Sequence, residues 1–113
     1  MARDDYYVIV YNILAYLYTQ LKNGEKVNPD LLKANSKYLN INETYWLYIL
    51  EHLLSSNYIE NVVITKPWGN ETVFVDLDNC RITPEGIDYL CNNNLMAKAK
   101  EFLKDVKAIV PFI

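Results

Sequence analysis

The sequence predicts a mainly α fold carrying one small antiparallel β-hairpin, an α+β arrangement with helices before and after the strands. Three observations predict it. Apolar residues recur at three- and four-residue spacing over 5–22 and again over 42–55. After Asn57 the pattern turns β-rich, with two short runs separated by a Gly-containing turn. Helical signals then resume at Thr83-Pro84-Glu85.

The first helix spans 5–22. Tyr7, Val10, Tyr11, Leu14, Leu17, Tyr18 and Leu21 share its apolar face. Asp4 and Asp5 supply a cap and favourable charge at its start, and Asn23-Gly24 ends it, because both tolerate a left-handed backbone. Asn28 and Pro29 suit the cap and first position of a second helix running to about Leu39. Asn40 is placed for a left-handed residue in a tight turn. Asn42 caps a third helix to about Ser55, with Trp46, Ile49, Leu50 and Leu53 on its core side.

Tyr58-Ile59 and 62–65 form the outgoing limb of the hairpin and 72–75 the return, around a turn at Pro67-Trp68-Gly69-Asn70. Asp76 to Asn79 closes it. Thr83 caps a short helix over about 83–91, with Pro84 at its first position. The Asn92-Asn93-Asn94 break precedes a last helix over about 95–109.

Helix, helix, tight turn, helix, hairpin, helix, helix is the winged-helix order. The segment Ser36 to Leu53 resembles a helix-turn-helix. Ser36 stands at the small-residue position, Asn40 at the usual Gly of the turn, Ile41 as the apolar plug and Asn42 as the cap. Ser56-Asn57-Tyr58-Ile59 resembles the exit into the wing. Ile82 to Leu90 resembles the helix that follows the wing in several such families, and with the terminal helix bearing Lys98, Lys100, Lys104 and Lys107 the chain is similar to the YjcQ family of small Gram-positive bacterial and prophage proteins. The resemblance implies one winged-helix domain over 1–113, with the helix-turn-helix at about 29–55 and the wing at about 58–78. It also implies a DNA-binding role, as in a transcriptional regulator of phage or prophage derivation, and supplies no catalytic residue.

Composition bounds the rest. A chain of 113 residues, 51% hydrophobic and 22% charged, holds one domain, which buries roughly 65% of its unfolded surface. A net charge of −3 weighs against nucleic acid, whose binders normally carry a basic stripe. Two cysteines, Cys80 and Cys91, have no paired-motif spacing and read as reduced thiols, with a single bridge the alternative. The first residues lack the basic region of a signal peptide, and the run from Tyr6 to Leu21 is too short and too polar to cross a bilayer. The expected compartment is therefore the cytoplasm. No cofactor, metal or enzymatic activity is expected. Glycines at 24, 69 and 86 make no phosphate loop, and His52 lacks a nucleophile elbow or an orienting acid. Asp76-Leu77-Asp78-Asn79 starts like a calcium loop but has Ile87 where the bidentate Glu belongs.

The favoured partner is double-stranded DNA. In a helix-turn-helix the second helix presents its N-terminal residues to base edges. That places Asn42, Thr44, Tyr45 and Tyr48 at the groove, with Lys37 beside them and Lys66, Trp68 and Asn70 on the wing. The 42–55 helix nonetheless has no Arg or Lys, so the commonest base contact, Arg to guanine, is unavailable from it. The alternative is a winged-helix module that binds a protein instead. Trp68 has two readings as well: a wedge in the minor groove, or a ring folded back onto the sheet or packed in a dimer. The terminal helix carries an apolar stripe of Leu95, Ala99, Phe102, Leu103, Val106 and Val110. The first five are the expected homodimer seam, by analogy with the fold; ordinary core packing is the alternative.

Overall fold

A computed structural model describes residues 1–68 and 73–106. In chain order these form α1 (Tyr6–Asn23), a 3-10 turn (Pro29–Leu32), α2 (Glu43–Ser55), β1 (Ile59–Glu60), β2 (Val63–Thr65), β3 (Phe74–Asp76), β4 (Arg81–Ile82), α3 (Pro84–Asn92) and α4 (Asn94–Asp105). Helix predominates and both two-stranded ladders are antiparallel, so the expected α+β class holds.

α1 is the centre of the core. Every residue from Val8 to Leu17 is buried, which a helix with one apolar face cannot be. α4, α3 and β4 all pack against it. The stripe expected from spacing is therefore only part of its contact surface, and two of that stripe, Tyr7 and Leu21, are exposed near its ends. Asp5 occupies the cap position, but its carboxylate turns back to accept from the Ala2 N–H at 2.8 Å and bonds no helix N–H. Gly24, with φ of 66°, closes the helix: its N–H donates to Leu21 O and that of Glu25 to Gln20 O.

The expected second helix is corrected. Asn28 does cap, accepting from Asp30 N–H at 3.1 Å, and Pro29 does open the turn. The helix stops after Leu32, however, and Lys33 is extended. In a continuing helix the Leu32 carbonyl would accept from residue 36. Here it accepts from the Trp46 indole N–H at 2.8 Å. Leu32, Ala34 and Ser36 are buried in alternation, and Ser36 Oγ accepts from Leu39 N–H at 3.2 Å. Asn35 and Ser36 are weak helix formers, so burial at a period of two prevails over helical continuation.

The turn and α2 match expectation. Asn40 is left-handed with φ of 47°, and Asn42 Oδ1 accepts from Tyr45 N–H at 2.9 Å. Asn57 and Asn61 are left-handed too, flanking β1. The hairpin is longer and more broken than expected. β2 pairs with β3 in the register Val63↔Asp76, Ile64↔Val75 and Thr65↔Phe74. β1 pairs with β4 through Ile59↔Ile82 and Glu60↔Arg81, a strand with no signal of its own in the residues around Arg81. Between the ladders, Leu77 and Cys80 tuck into the core around a turn held by Asp76 Oδ1 and Asp78 N–H at 2.9 Å.

Thr83 caps α3 as expected. Its Oγ1 accepts from Gly86 N–H at 2.9 Å and donates to Asn57 O at 2.6 Å, tying α3 to the end of α2. Asn93 Oδ1 then caps α4 through Leu95 and Met96. α4 is described as far as Asp105, so its expected continuation to 109, with Lys107 and Val110, lies outside the described residues. The expected dimer seam needs correction. Met96, Ala99 and Leu103 are buried against the protomer's own core, which removes Ala99 and Leu103 from any surface open to a second copy. Leu95 and Phe102 are half-buried, and of the five only Val106 is exposed.

Candidate interaction surface

α2 sets the geometry of the surface. Ile49, Leu50 and Leu53 anchor it in the core and the Trp46 indole ties it to Leu32. That fixes the opposite side, carrying Thr44, Tyr48, His52 and Ser55, toward solvent. Tyr48 is 53% exposed. Its ring lies 4.1 Å from that of His52, and Tyr6 meets it edge-on at 6.3 Å. His52 Nδ1–H donates to Tyr48 O at 2.8 Å, fixing the imidazole. Leu47 is half-buried.

Several expected contact residues are committed elsewhere. Asn42 spends its side-chain oxygen on the helix cap. Tyr45 is half-buried, and its hydroxyl donates to Asp4 O at 2.8 Å. Burial, then the charges of Asp4 and Asp5 and the neighbouring Tyr6, push its phenol pKa upward. Lys37 lies over the ring of Tyr38, 5.2 Å from its centroid. Lys66 leans back to α2, with its Nζ 3.7 Å from Glu51 Oε1. Thr44 and Tyr48 remain the open polar groups of the expected set on α2. Asn70 lies outside the described residues.

The hairpin projects beside α2. Val63, Thr65, Phe74 and Asp76 share its outward face, opposite half-buried Ile64 and Val75. Val63 is 58% exposed and Phe74 61%. Trp68 is fully exposed and does not fold back onto the sheet. Phe74 and Asp76 also line a groove running to the start of α2, with Lys33, Glu43 and Trp46 on its other wall. The surface thus combines large apolar groups with charges of both signs.

A second aromatic group gathers where α1 begins and α3 meets the end of α2. Tyr6 and Tyr7 meet edge to face at 5.1 Å, at the start of α1. Tyr58, just past α2, stacks on Tyr89 of α3 at 4.5 Å with 19° between the rings. Burial, and then Tyr7, Tyr58 and Tyr6, push the Tyr89 phenol up to about 12. The only sequence signal was the abundance of tyrosine, ten in the chain. Nothing local said that four of them would converge from α1, α3 and the link between α2 and β1.

Both cysteines are free, Cys80 buried and Cys91 exposed. Burial pushes the Cys80 thiol up to about 12. Among the described residues no group of three or more His, Cys, Asp or Glu is placed to hold a metal ion, and no helix is long and apolar enough to cross a membrane. Against known families, residues 11–109 match the one described as YjcQ protein. No curated protein and no solved structure matches the chain.

Proposed function

From the chain's place in the YjcQ family, to which it belongs, we propose that it is an interaction module of winged-helix type that docks a protein through α2 and the hairpin. One observation carries this reading. The face where such a fold would meet DNA presents Tyr48, Val63, Trp68 and Phe74 to solvent, and α2 itself holds no Arg or Lys. Phosphate recognition needs cations to displace counterions. Here Lys66 is shared with Glu51, and the neighbouring groove sets Glu43, Asp76 and Asp78 against Lys33. Exposed Trp and Tyr, by contrast, are the side chains that anchor protein interfaces, because each buries a large rigid area at little entropic cost.

Double-stranded DNA is the second reading, and a specific observation favours it. The left-handed turn at Asn40 and the Asn42 cap set the start of α2 as they would before a recognition helix, although a 3-10 turn and not a full helix precedes them. On that reading the chain is a DNA-binding regulator. A homodimer, on either reading, would form through the hairpin face, since the α4 stripe is mostly used in the core.

Two measurements separate the readings. A photo-crosslinking amino acid is placed at position 48 or 68 in the source cells, with position 100 on α4 as the control. Discrete protein adducts from 48 and 68, absent from 100, are expected. Fluorescence anisotropy of a mixed-sequence duplex should show no salt-sensitive binding. A dissociation constant of roughly 10⁻⁴ to 10⁻⁶ M or tighter at low salt, weakening steeply as salt rises, would overturn the protein reading in favour of DNA.

A further inference from the structure

We propose that the groove beside α3 binds an arginine side chain presented by a partner protein, with the stacked Tyr58 and Tyr89 as its aromatic wall and Glu85 and Asp88 as its charged rim. This site is separate from the α2–hairpin face and stands or falls independently of it.

The groove is lined by Tyr58, Pro84, Glu85, Asp88, Tyr89 and Asn92, among others. Both carboxylates are exposed, and among the described residues neither has a basic group within ion-pair distance. Asp88 Oδ1 accepts from the Asn92 amide at 2.7 Å, which holds that carboxylate in place and leaves Oδ2 to a ligand. Thr83 fixes the first turn of α3 against Asn57, so the Glu85 backbone and the Tyr58 backbone keep one spacing.

The chemistry selects a planar cation. A ring face attracts positive charge through its quadrupole, and a guanidinium can stack on that face while its N–H fork reaches carboxylates at the edge. An ammonium can take the charge interaction but not the stack. An anion meets two carboxylates and is repelled. Charge complementarity therefore assigns a basic segment of a polypeptide as the occupant. One exposed cation–ring contact is weak, so the segment would gain affinity by presenting more than one basic residue.

The test uses a capped peptide, Gly-Arg-Gly-Arg-Gly, titrated into the ¹⁵N-labelled protein and followed by NMR. Saturable shifts are expected at the amides of Glu85, Asp88, Tyr89 and Asn92. The double variant Glu85→Gln, Asp88→Asn should weaken binding on the order of 10-fold, the free energy of one strong contact. Glu101→Gln, on the outside of α4, should leave binding unchanged. The corresponding lysine peptide should bind several-fold more weakly, and a glutamate peptide should not shift these amides. Both carboxylates are exposed, so their removal leaves the fold intact, which the dispersion of the remaining resonances verifies. Non-saturating shifts spread over the acidic surface, equal affinity for the lysine peptide, or an undiminished response in the double variant would each overturn the proposal.

Discussion

Replacing Gly86 by Ala tests how closely α3 is keyed to the end of α2. A methyl group built on Gly86 would stand 2.2 Å from the Tyr58 carbonyl oxygen and 2.8 Å from Ile82 Cγ1. The first distance is roughly 1 Å short of contact, and its partner is backbone that cannot swing aside. That same Tyr58 carbonyl accepts from Thr83 N–H at 3.1 Å, and Thr83 Oγ1 donates to Asn57 O. Moving α3 outward to make room therefore stretches both bonds. Overpacking costs about 1–3 kcal/mol, and two weakened hydrogen bonds add about 1 kcal/mol each. Against this, Ala exceeds Gly in helix propensity by about 1 kcal/mol. The balance is a loss of roughly 2–4 kcal/mol, or a fall in Tm on the order of 10–20 °C for a domain of this size. Thermal and urea unfolding followed by circular dichroism measure it. Gly24→Ala is the comparison: nothing lies within 4 Å of its added methyl, so only the left-handed backbone matters, at about 1 kcal/mol. A Gly86→Ala variant as stable as the parent, or more stable, would refute the close approach of α3 to Tyr58.

Four further outcomes are expected. Asn42→Ala should lower stability by about 1 kcal/mol through loss of the α2 cap, and Asn40→Ala by a similar amount through its left-handed backbone, whereas Asn40→Gly should be tolerated; chemical denaturation measures all three. Leu103→Ala should cost about 2–5 kcal/mol, as a core truncation does, while Val106→Ala should stay within about 0.5 kcal/mol; equal effects in unfolding experiments would argue against the assignment of Leu103 to the protomer core. Alkali should destabilise the protein, because Cys80 and Tyr89 hold their protons in the fold up to about 12 whereas the unfolded chain releases them from about 9 and 10. Tyr6, Tyr11 and Tyr45, also raised, act in the same direction. Below pH 9 this contribution is fully present, and it is lost as pH rises toward 12, which urea midpoints measured across that range will show. At neutral pH a thiol reagent should modify one cysteine, Cys91.

Features that depend on a residue and its nearest neighbours are legible in the chain alone. Asn42 and Thr83 mark helix starts because a short polar side chain reaches an N–H three residues ahead. Gly24 and Asn40 mark reversals because they tolerate positive φ. The helix–hairpin–helix order followed from such signals, and so did the placement of Thr44 and Tyr48 on the open side of α2. What lay between 29 and 39 did not follow, because the Leu32 carbonyl is taken by Trp46, fourteen residues on. The α4 stripe likewise read as well for a dimer seam as for core; α1 decided, by offering Met96, Ala99 and Leu103 a protomer surface to cover. Arg81-Ile82 is a strand because β1 lies beside it, not through its own composition. Tyr58 and Tyr89 became a stacked pair with two carboxylates at its edge only when Gly86 let α3 close on the Tyr58 backbone. Periodicity states which side of a helix is apolar, but not what covers it, since the covering residues are distant in the chain and meet it only in the folded molecule.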